Sequence, residues 1–133
     1  RDGVELSDFW AEAAMAHRSV SLPGFPNFFM LVGPNSPIGN FSLVDISEKQ
    51  LAYVMQLIEL WRDGTATEIS ARHNAMETFN ATLKAAMGGT VWVTGCQSWY
   101  LDKNGNPAMW PFSYDKFCAD MTAPNLDEYD LVS

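Results

Sequence analysis

An unbroken apolar run that stops at a turn-rich loop limits how this chain can fold. The run covers Phe28 to Val32, and the loop that follows, Gly33 to Asn40, is rich in glycine, proline and asparagine. A short apolar run between turn signals predicts a strand buried on both faces, as in the middle of a covered sheet. A strand that enters a helix through such a loop presents backbone N–H groups to a ligand, so this loop is the first candidate site.

Hydrophobic periodicity predicts helices on both sides of the loop. The longest starts at Asn40 or Ser42 and ends near Asp63 and Gly64, and its apolar spacings of three and four predict one broad buried face. Its polar residues are predicted to face water: Glu48, Lys49, Gln50, Glu59 and Arg62. The other predicted helices are Asp8 to Ala16, a helix capped by Ser70 that ends at Gly88 and Gly89, and Ser113 to Met121.

Strands are scarce in the sequence. Besides Phe28 to Val32, the residues Thr90 to Thr94 alternate like a short strand. The acid-rich stretch Asn125 to Asp130 predicts a solvated tail. One or two isolated short strands do not make a stable sheet. We therefore predict an α/β segment, by itself mostly helical with two or three short strands, that belongs to a larger protein.

Charge and cysteine content exclude several classes of function. The 133 residues carry a net charge of −8, which argues against binding to nucleic acid or to an anionic membrane surface. The two cysteines, Cys96 and Cys118, form neither a zinc motif nor a disulfide scaffold, and they fit a reducing, cytoplasmic setting. The start of the sequence, Arg1 to Glu5, has no initiator methionine and no signal region, and we interpret it as the interior of a protein.

Several catalytic and nucleotide motifs are missing. No Lys-Ser/Thr follows the loop glycines, and no GxGxxG occurs, so the sequence predicts no pyrophosphate site of its own. His17 and His73 have no candidate nucleophile beside them, and Cys96 is predicted to be a small buried residue. The helix start after the loop could stabilise a negatively charged edge of a planar ligand. The alternative is an ordinary strand–loop–helix corner.

Taken together, four stretches resemble the C-terminal part of flavin-dependent monooxygenases of the Baeyer–Villiger type and their flavin-containing relatives. They are Arg1-Asp2-Gly3 with Leu6 and Trp10, Pro23 to Leu31, Gly33 to Asn40, and Val91 to Cys96 with Ser98 to Asp102 and Gly105. Within that family the resemblance points to the subgroup that acts on aryl ketones such as hydroxyacetophenones. The two GxGxxG fingerprints and the F-x-G-x-x-x-H-x-x-x-W-P signature of the family are absent and are expected before Arg1.

The resemblance implies a role for residues 1–133 as the closing segment of an FAD-binding, Rossmann-like domain. The complete enzyme would use FAD and NADPH to insert oxygen into ketones or to oxidise nitrogen or sulfur centres, whereas this chain alone is expected to be inactive. Its partners would be the remaining N-terminal polypeptide, a small-molecule substrate and, in a homo-oligomer, further copies.

The resemblance also assigns roles to individual residues. Those implied to border FAD are Gly33, Asn35, Ser36, Gly39 and Asn40. Pro37, Ile38 and Phe41 are implied to wall the substrate pocket, and Trp99 to contact the nicotinamide cofactor. No metal site is expected, and the main catalytic groups would come from outside this chain. An alternative hypothesis is a free-standing, acidic helical domain that binds a protein partner through its Trp-rich surface.

Overall fold

The computed structural model describes residues 3–39, 41–88 and 109–133. Four helices and two strands lie in these ranges: α1 (Leu6–Phe9), α2 (Leu43–Arg62), β1 (Glu68–Ala71), α3 (His73–Met87), α4 (Tyr114–Asp120) and β2 (Tyr129–Val132). A 3-10 helix, Leu126–Glu128, leads into β2. Over the described ranges, none of the helices has the length and apolar character needed to cross a membrane.

Helix α2 forms with the predicted bounds, but its buried face is narrower than predicted. Ser42 is the N-cap residue, and the buried residues are Ile46, Gln50, Tyr53, Val54 and Leu57. Several of the apolar residues lie outside this stripe and are exposed: Leu43, Val44, Leu51, Met55 and Trp61. The prediction that Gln50 faces water is wrong, because its side chain is fully buried.

The two strands form an antiparallel pair between distant parts of the chain. Glu68 pairs with Val132 at one end of the register, and Ala71 pairs with Tyr129 at the other. The predicted solvated tail is therefore wrong for Tyr129, which is fully buried. Its hydroxyl lies 3.0 Å from the hydroxyl of Tyr53 on α2. Burial raises the pKa of Tyr53 to about 12, so this pair stays protonated and neutral at physiological pH.

The predicted strand at Phe28 to Val32 does not form. Asn27, just before the apolar run, and Val32, its last residue, both adopt left-handed backbone conformations, with φ of 59° and 55°. An extended strand cannot continue through such residues. Within the run, Phe29 makes an isolated antiparallel bridge with Ser21, while Phe28 and Leu31 are 41% and 47% exposed. The run is thus a partly exposed, irregular segment.

The other helices agree with the sequence to different degrees. Helix α4 has the predicted position. It begins after Ser113, whose hydroxyl accepts a hydrogen bond from the Lys116 N–H and so caps the helix. Helix α3 starts after Arg72, not at Ser70, which lies in β1. Helix α1 lies before Trp10, whereas Asp8 to Ala16 was predicted. The predicted strand at Thr90 to Thr94 lies outside the described residues.

A single cluster of buried side chains joins these elements. It combines residues of α2, β1, α3, α4 and β2, and its largest members include Tyr53, Leu57, Ile69, Phe117 and Tyr129. The aromatic rings of Trp110, Phe112 and Phe117 pack edge to face at one end of this core. The prediction of a mostly helical segment with two or three short strands is confirmed in the described ranges.

Candidate functional site

In the structure, the candidate loop comprises Val32 and the described part of Gly33 to Asn40, and these residues, 32–39, form a series of tight turns in front of α2. The Ser36 N–H donates to the Gly33 carbonyl at 3.1 Å, and the Ile38 N–H donates to the Ser36 carbonyl at 2.7 Å. Val32, Asn35 and Gly39 have positive φ angles of 55°, 64° and 89°. Gly39 is exposed at the end of the loop, where its lack of a Cβ allows this conformation.

The loop is in close contact with the chain segment before it. A Cβ atom added to Gly33 would lie 2.2 Å from the backbone carbonyl oxygen of Ser19. Ser19 itself is buried and has a φ of 64°. Position 33 therefore requires glycine for steric reasons, since no side chain has room there.

The structure brings most of the sequence-predicted site residues together, with different exposure. Within the loop, Ser36 and Pro37 are buried and Gly39 is exposed. Asn35, Ile38 and Phe41 are half-buried. The Phe41 ring packs on Tyr114 of α4, with a centroid distance of 4.6 Å. Asn40 and Trp99 lie outside the described residues. The accessible part of the site is thus its later half, next to the start of α2.

The helix start beside the loop has an electrostatic character that suits an anion. The Ser42 side chain makes no capping hydrogen bond, so the first N–H groups of α2 receive no acceptor from it. Such a helix end carries about half a positive charge. Leu43 and Val44, on the first turn, are 54% and 69% exposed. A planar ligand with one negatively charged edge would match this combination of N–H groups and apolar surface.

Sequence reasoning missed a second polar cluster, at His17. The His17 Nε2 lies 3.0 Å from Glu128 Oε2, and the Arg18 guanidinium donates to both oxygens of the same carboxylate at 3.1 and 3.3 Å. Arg18 also lies 3.7 Å from Asp120 of α4. The partners are more than a hundred residues apart, so no local pattern could reveal them. His73, by contrast, is exposed, and its Nε2 lies 3.2 Å from Glu77 Oε1.

His17 should make stability depend on pH. Burial lowers the pKa of His17 below its ordinary value of 6.5, and this effect outweighs the attraction of Glu128. As the pH falls, the unfolded chain takes up the proton before the folded chain does. The contribution of His17 to stability is therefore complete above about pH 6.5 and is lost as the pH falls below it.

Urea unfolding at a series of pH values tests this expectation. Below about pH 6.5, wild-type stability should fall more steeply than that of His17→Gln, by at most about 1.4 kcal/mol per pH unit. His73→Gln is the matched control, because its side chain is exposed. Identical slopes for the wild type and His17→Gln would contradict the assignment.

Other common site types are not found where the structure can be described. Within residues 3–39, 41–88 and 109–133, no three His, Cys, Asp or Glu side chains are arranged to hold a metal ion. Cys118 is a half-buried free thiol on α4. Cys96 lies outside the described residues.

Comparison with known proteins identifies relatives along almost the whole chain. No protein-family model matches it. An uncharacterised monooxygenase of Mycobacterium tuberculosis is 46% identical over 131 residues, which are 98% of this chain and 26% of the relative. A Baeyer–Villiger monooxygenase of Streptomyces coelicolor is 35% identical over 134 residues, again 98% of this chain and 26% of the relative. The chain is homologous to a segment of the Baeyer–Villiger monooxygenases.

The fold agrees with that of a solved monooxygenase. The cyclohexanone monooxygenase of Rhodococcus sp. Phi1, solved with bound NADP+, matches with a TM-score of 0.83 and 20% identity, over 100% of this chain and 26% of that protein. The α/β fold class predicted from the sequence is thereby confirmed. The chain spans about a quarter of the length of these two curated relatives.

Proposed function

We propose that this chain is part of an FAD- and NADPH-dependent monooxygenase that inserts oxygen into ketones or oxidises nitrogen or sulfur centres. The observation that carries the proposal is the 35% identity to a Baeyer–Villiger monooxygenase over 98% of the chain. The solved cyclohexanone monooxygenase with bound NADP+ has the same fold over this segment and supports the choice of nicotinamide cofactor. Ketone substrates are favoured over amines and sulfides, because one relative is named a Baeyer–Villiger monooxygenase and the solved relative a cyclohexanone monooxygenase.

The chain would act as the closing segment of an FAD-binding domain. The exposed apolar residues of α2, among them Leu51, Met55 and Trp61, support this role. Five exposed large apolar side chains on a single helix suit packing against further polypeptide. The partner we propose is the N-terminal part of the same enzyme, which would supply the nucleotide fingerprints.

The loop before α2 fits a flavin on chemical grounds. Gly39 is exposed and has no Cβ, and the adjacent start of α2 lacks a side-chain cap. The residues proposed to hold the ring system are Gly33, Asn35, Ser36, Gly39 and Asn40. Since the Ser36 hydroxyl already bonds Gln50, Ser36 would act through the backbone turn that it forms. When bound, FAD would supply the redox and oxygen chemistry, and the positive end of α2 would favour negative charge on it.

We propose substrate contacts from the same loop, and a nicotinamide contact from the sequence resemblance. Ile38 and Phe41 are half-buried beside the accessible half of the loop and would wall a substrate pocket. Pro37 is buried and would shape that wall from beneath. Trp99 is proposed to contact the nicotinamide cofactor. These residues would exclude water and orient the reactants, while the main catalytic groups would come from elsewhere in the enzyme.

The full-length protein encoded by the gene provides the test. We expect it to purify with FAD, identified by absorbance and by the mass of the released cofactor, and to oxidise NADPH. With ¹⁸O₂, one labelled oxygen atom should appear in the ester made from an aryl ketone, and parallel assays with a sulfide and an amine would rank the substrate classes. A protein that contains no flavin and does not consume NADPH would refute the proposal and favour a non-enzymatic partner-binding domain.

Gly39→Val should reduce flavin content in that protein. A β-branched residue is strongly disfavoured at a φ of 89°, so the loop must rearrange beside the start of α2. Gly64→Val is the matched control, because Gly64 has a similar φ of 81° but lies at the far end of α2. The site assignment would fail if both variants retained equal amounts of FAD per chain.

A further inference from the structure

The candidate loop has a strained backbone, which neighbouring side chains must hold in place. Val32 has a φ of 55° although it is β-branched, and Asn35 has a φ of 64°. A left-handed conformation costs free energy for a β-branched residue such as Val32, and it persists only where the surroundings impose it. Strained backbone of this kind occurs preferentially at ligand sites.

Gln50 of α2 holds the loop at two points. Its Oε1 accepts a hydrogen bond from the strained Val32 N–H at 2.6 Å, and its Nε2 donates to the Ser36 hydroxyl at 2.9 Å. Gln50 is fully buried and Ser36 is 1% exposed, so water cannot replace these bonds. The carboxamide therefore fixes the distance between residues 32 and 36.

Asn80 of α3 holds the middle of the loop. Its Oδ1 accepts a hydrogen bond from the Asn35 Nδ2 at 3.1 Å. Its own Nδ2 donates to the carbonyls of Ala16 and Met76 at 3.0 and 2.8 Å. Both ends of the Asn80 amide are thus engaged, which fixes its orientation and leaves Asn35 one well-defined partner.

We propose that Gln50 and Asn80 are positioning residues that clamp the loop at 32–39 to α2 and α3 in the conformation used for catalysis. Neither side chain would touch the flavin. Because reactive groups must be held within a few tenths of an ångström, a loosened loop would let reduced cofactor react unproductively with dioxygen. One NADPH, one proton and one O₂ would then yield NADP+ and one H₂O₂, with no oxygenated substrate. This consequence rests on the proposed monooxygenase function.

Hydrogen–deuterium exchange of the full-length protein tests the clamp itself. Gln50→Met keeps the size of the side chain and removes both hydrogen bonds. We expect amides in residues 32–36 to exchange at least about tenfold faster than in the wild type. Amides of β1, Glu68–Ala71, should be unchanged, which separates a loosened loop from a destabilised fold. Gln56→Met on the same helix is the control, because Gln56 is exposed and bonds only Ala52 and Thr122 carbonyls among the described residues.

Asn80→Ala provides a second variant in case Gln50→Met does not fold, and it should loosen Asn35 and its neighbours in the same way. In the flavin-loaded enzyme, both clamp variants should raise the share of NADPH oxidation that ends as H₂O₂ at least about threefold, while Gln56→Met leaves it unchanged. Wild-type exchange rates across 32–36 in both variants would overturn the clamp. Faster exchange with an unchanged share of H₂O₂ would overturn its role in catalysis. Absence of flavin from the wild type would instead refute the proposed function, and the exchange data would still decide the clamp.

Discussion

Replacing Tyr129 with alanine is expected to lower the free energy of unfolding by about 3–5 kcal/mol. The ring is fully buried at the start of β2, and it packs edge to face on His17 with a centroid distance of 5.5 Å. Alanine would leave a cavity and remove the partner of the Tyr53 hydroxyl. Urea unfolding followed by tryptophan fluorescence measures the loss, with the half-exposed Val132 of the same strand, as Val132→Ala, for control.

Two further variants separate the ring from its hydroxyl. Tyr129→Phe keeps the ring but leaves the buried Tyr53 hydroxyl without its hydrogen-bond partner. This should lower the free energy of unfolding by about 1–3 kcal/mol. The double variant Tyr53→Phe with Tyr129→Phe removes both hydroxyls and should regain most of that loss. If Tyr129→Ala were no more destabilising than Val132→Ala, the burial of Tyr129 in the core would be wrong.

Gly33→Ala is expected to cost about 2–3 kcal/mol, although it adds a single methyl group. The new Cβ would lie 2.2 Å from the Ser19 carbonyl oxygen, a backbone atom that cannot rotate away. The loop and the Ser19 turn must therefore separate, and flavin content should fall with stability.

The matched control for Gly33 is Gly88→Ala. Gly88 has a helical φ of −59°, and its added Cβ would meet its nearest neighbour at 3.8 Å, an ordinary contact distance. That substitution should change stability by less than about 0.5 kcal/mol. A Gly33→Ala protein as stable as Gly88→Ala would show that the loop does not pack on Ser19 as described.

Local patterns predicted the helices better than the strands. The bounds of α2 and the Ser113 cap of α4 follow from periodicity and capping chemistry, which act within one or two turns. The pairing of β1 with β2 joins residues on opposite sides of α3 and α4 in the chain. No short window of the sequence contains both strands, so neither β1 nor β2 was predicted.

The candidate site divides in the same way. The loop and its neighbouring helix start could be proposed from the residues themselves, because glycine, proline and asparagine mark turns directly. Gln50 was placed in water because polar residues usually face outward on an amphipathic helix. Its burial depends on the hydrogen bond that its Oε1 accepts from the Val32 N–H, a donor that only the folded loop places opposite it. The cluster of His17, Arg18 and Glu128 likewise depends on long-range packing.

The pairing of β1 with β2 has a consequence for biosynthesis. β1 leaves the ribosome before its partner exists, since α3 and α4 must be translated before β2 appears. During that interval, the backbone edge of β1 that faces β2 in the folded chain lacks its partner strand. The nascent chain therefore passes through a stage in which α2 and α3 can already be helical while β1 is open to chaperones or to a wrong strand partner.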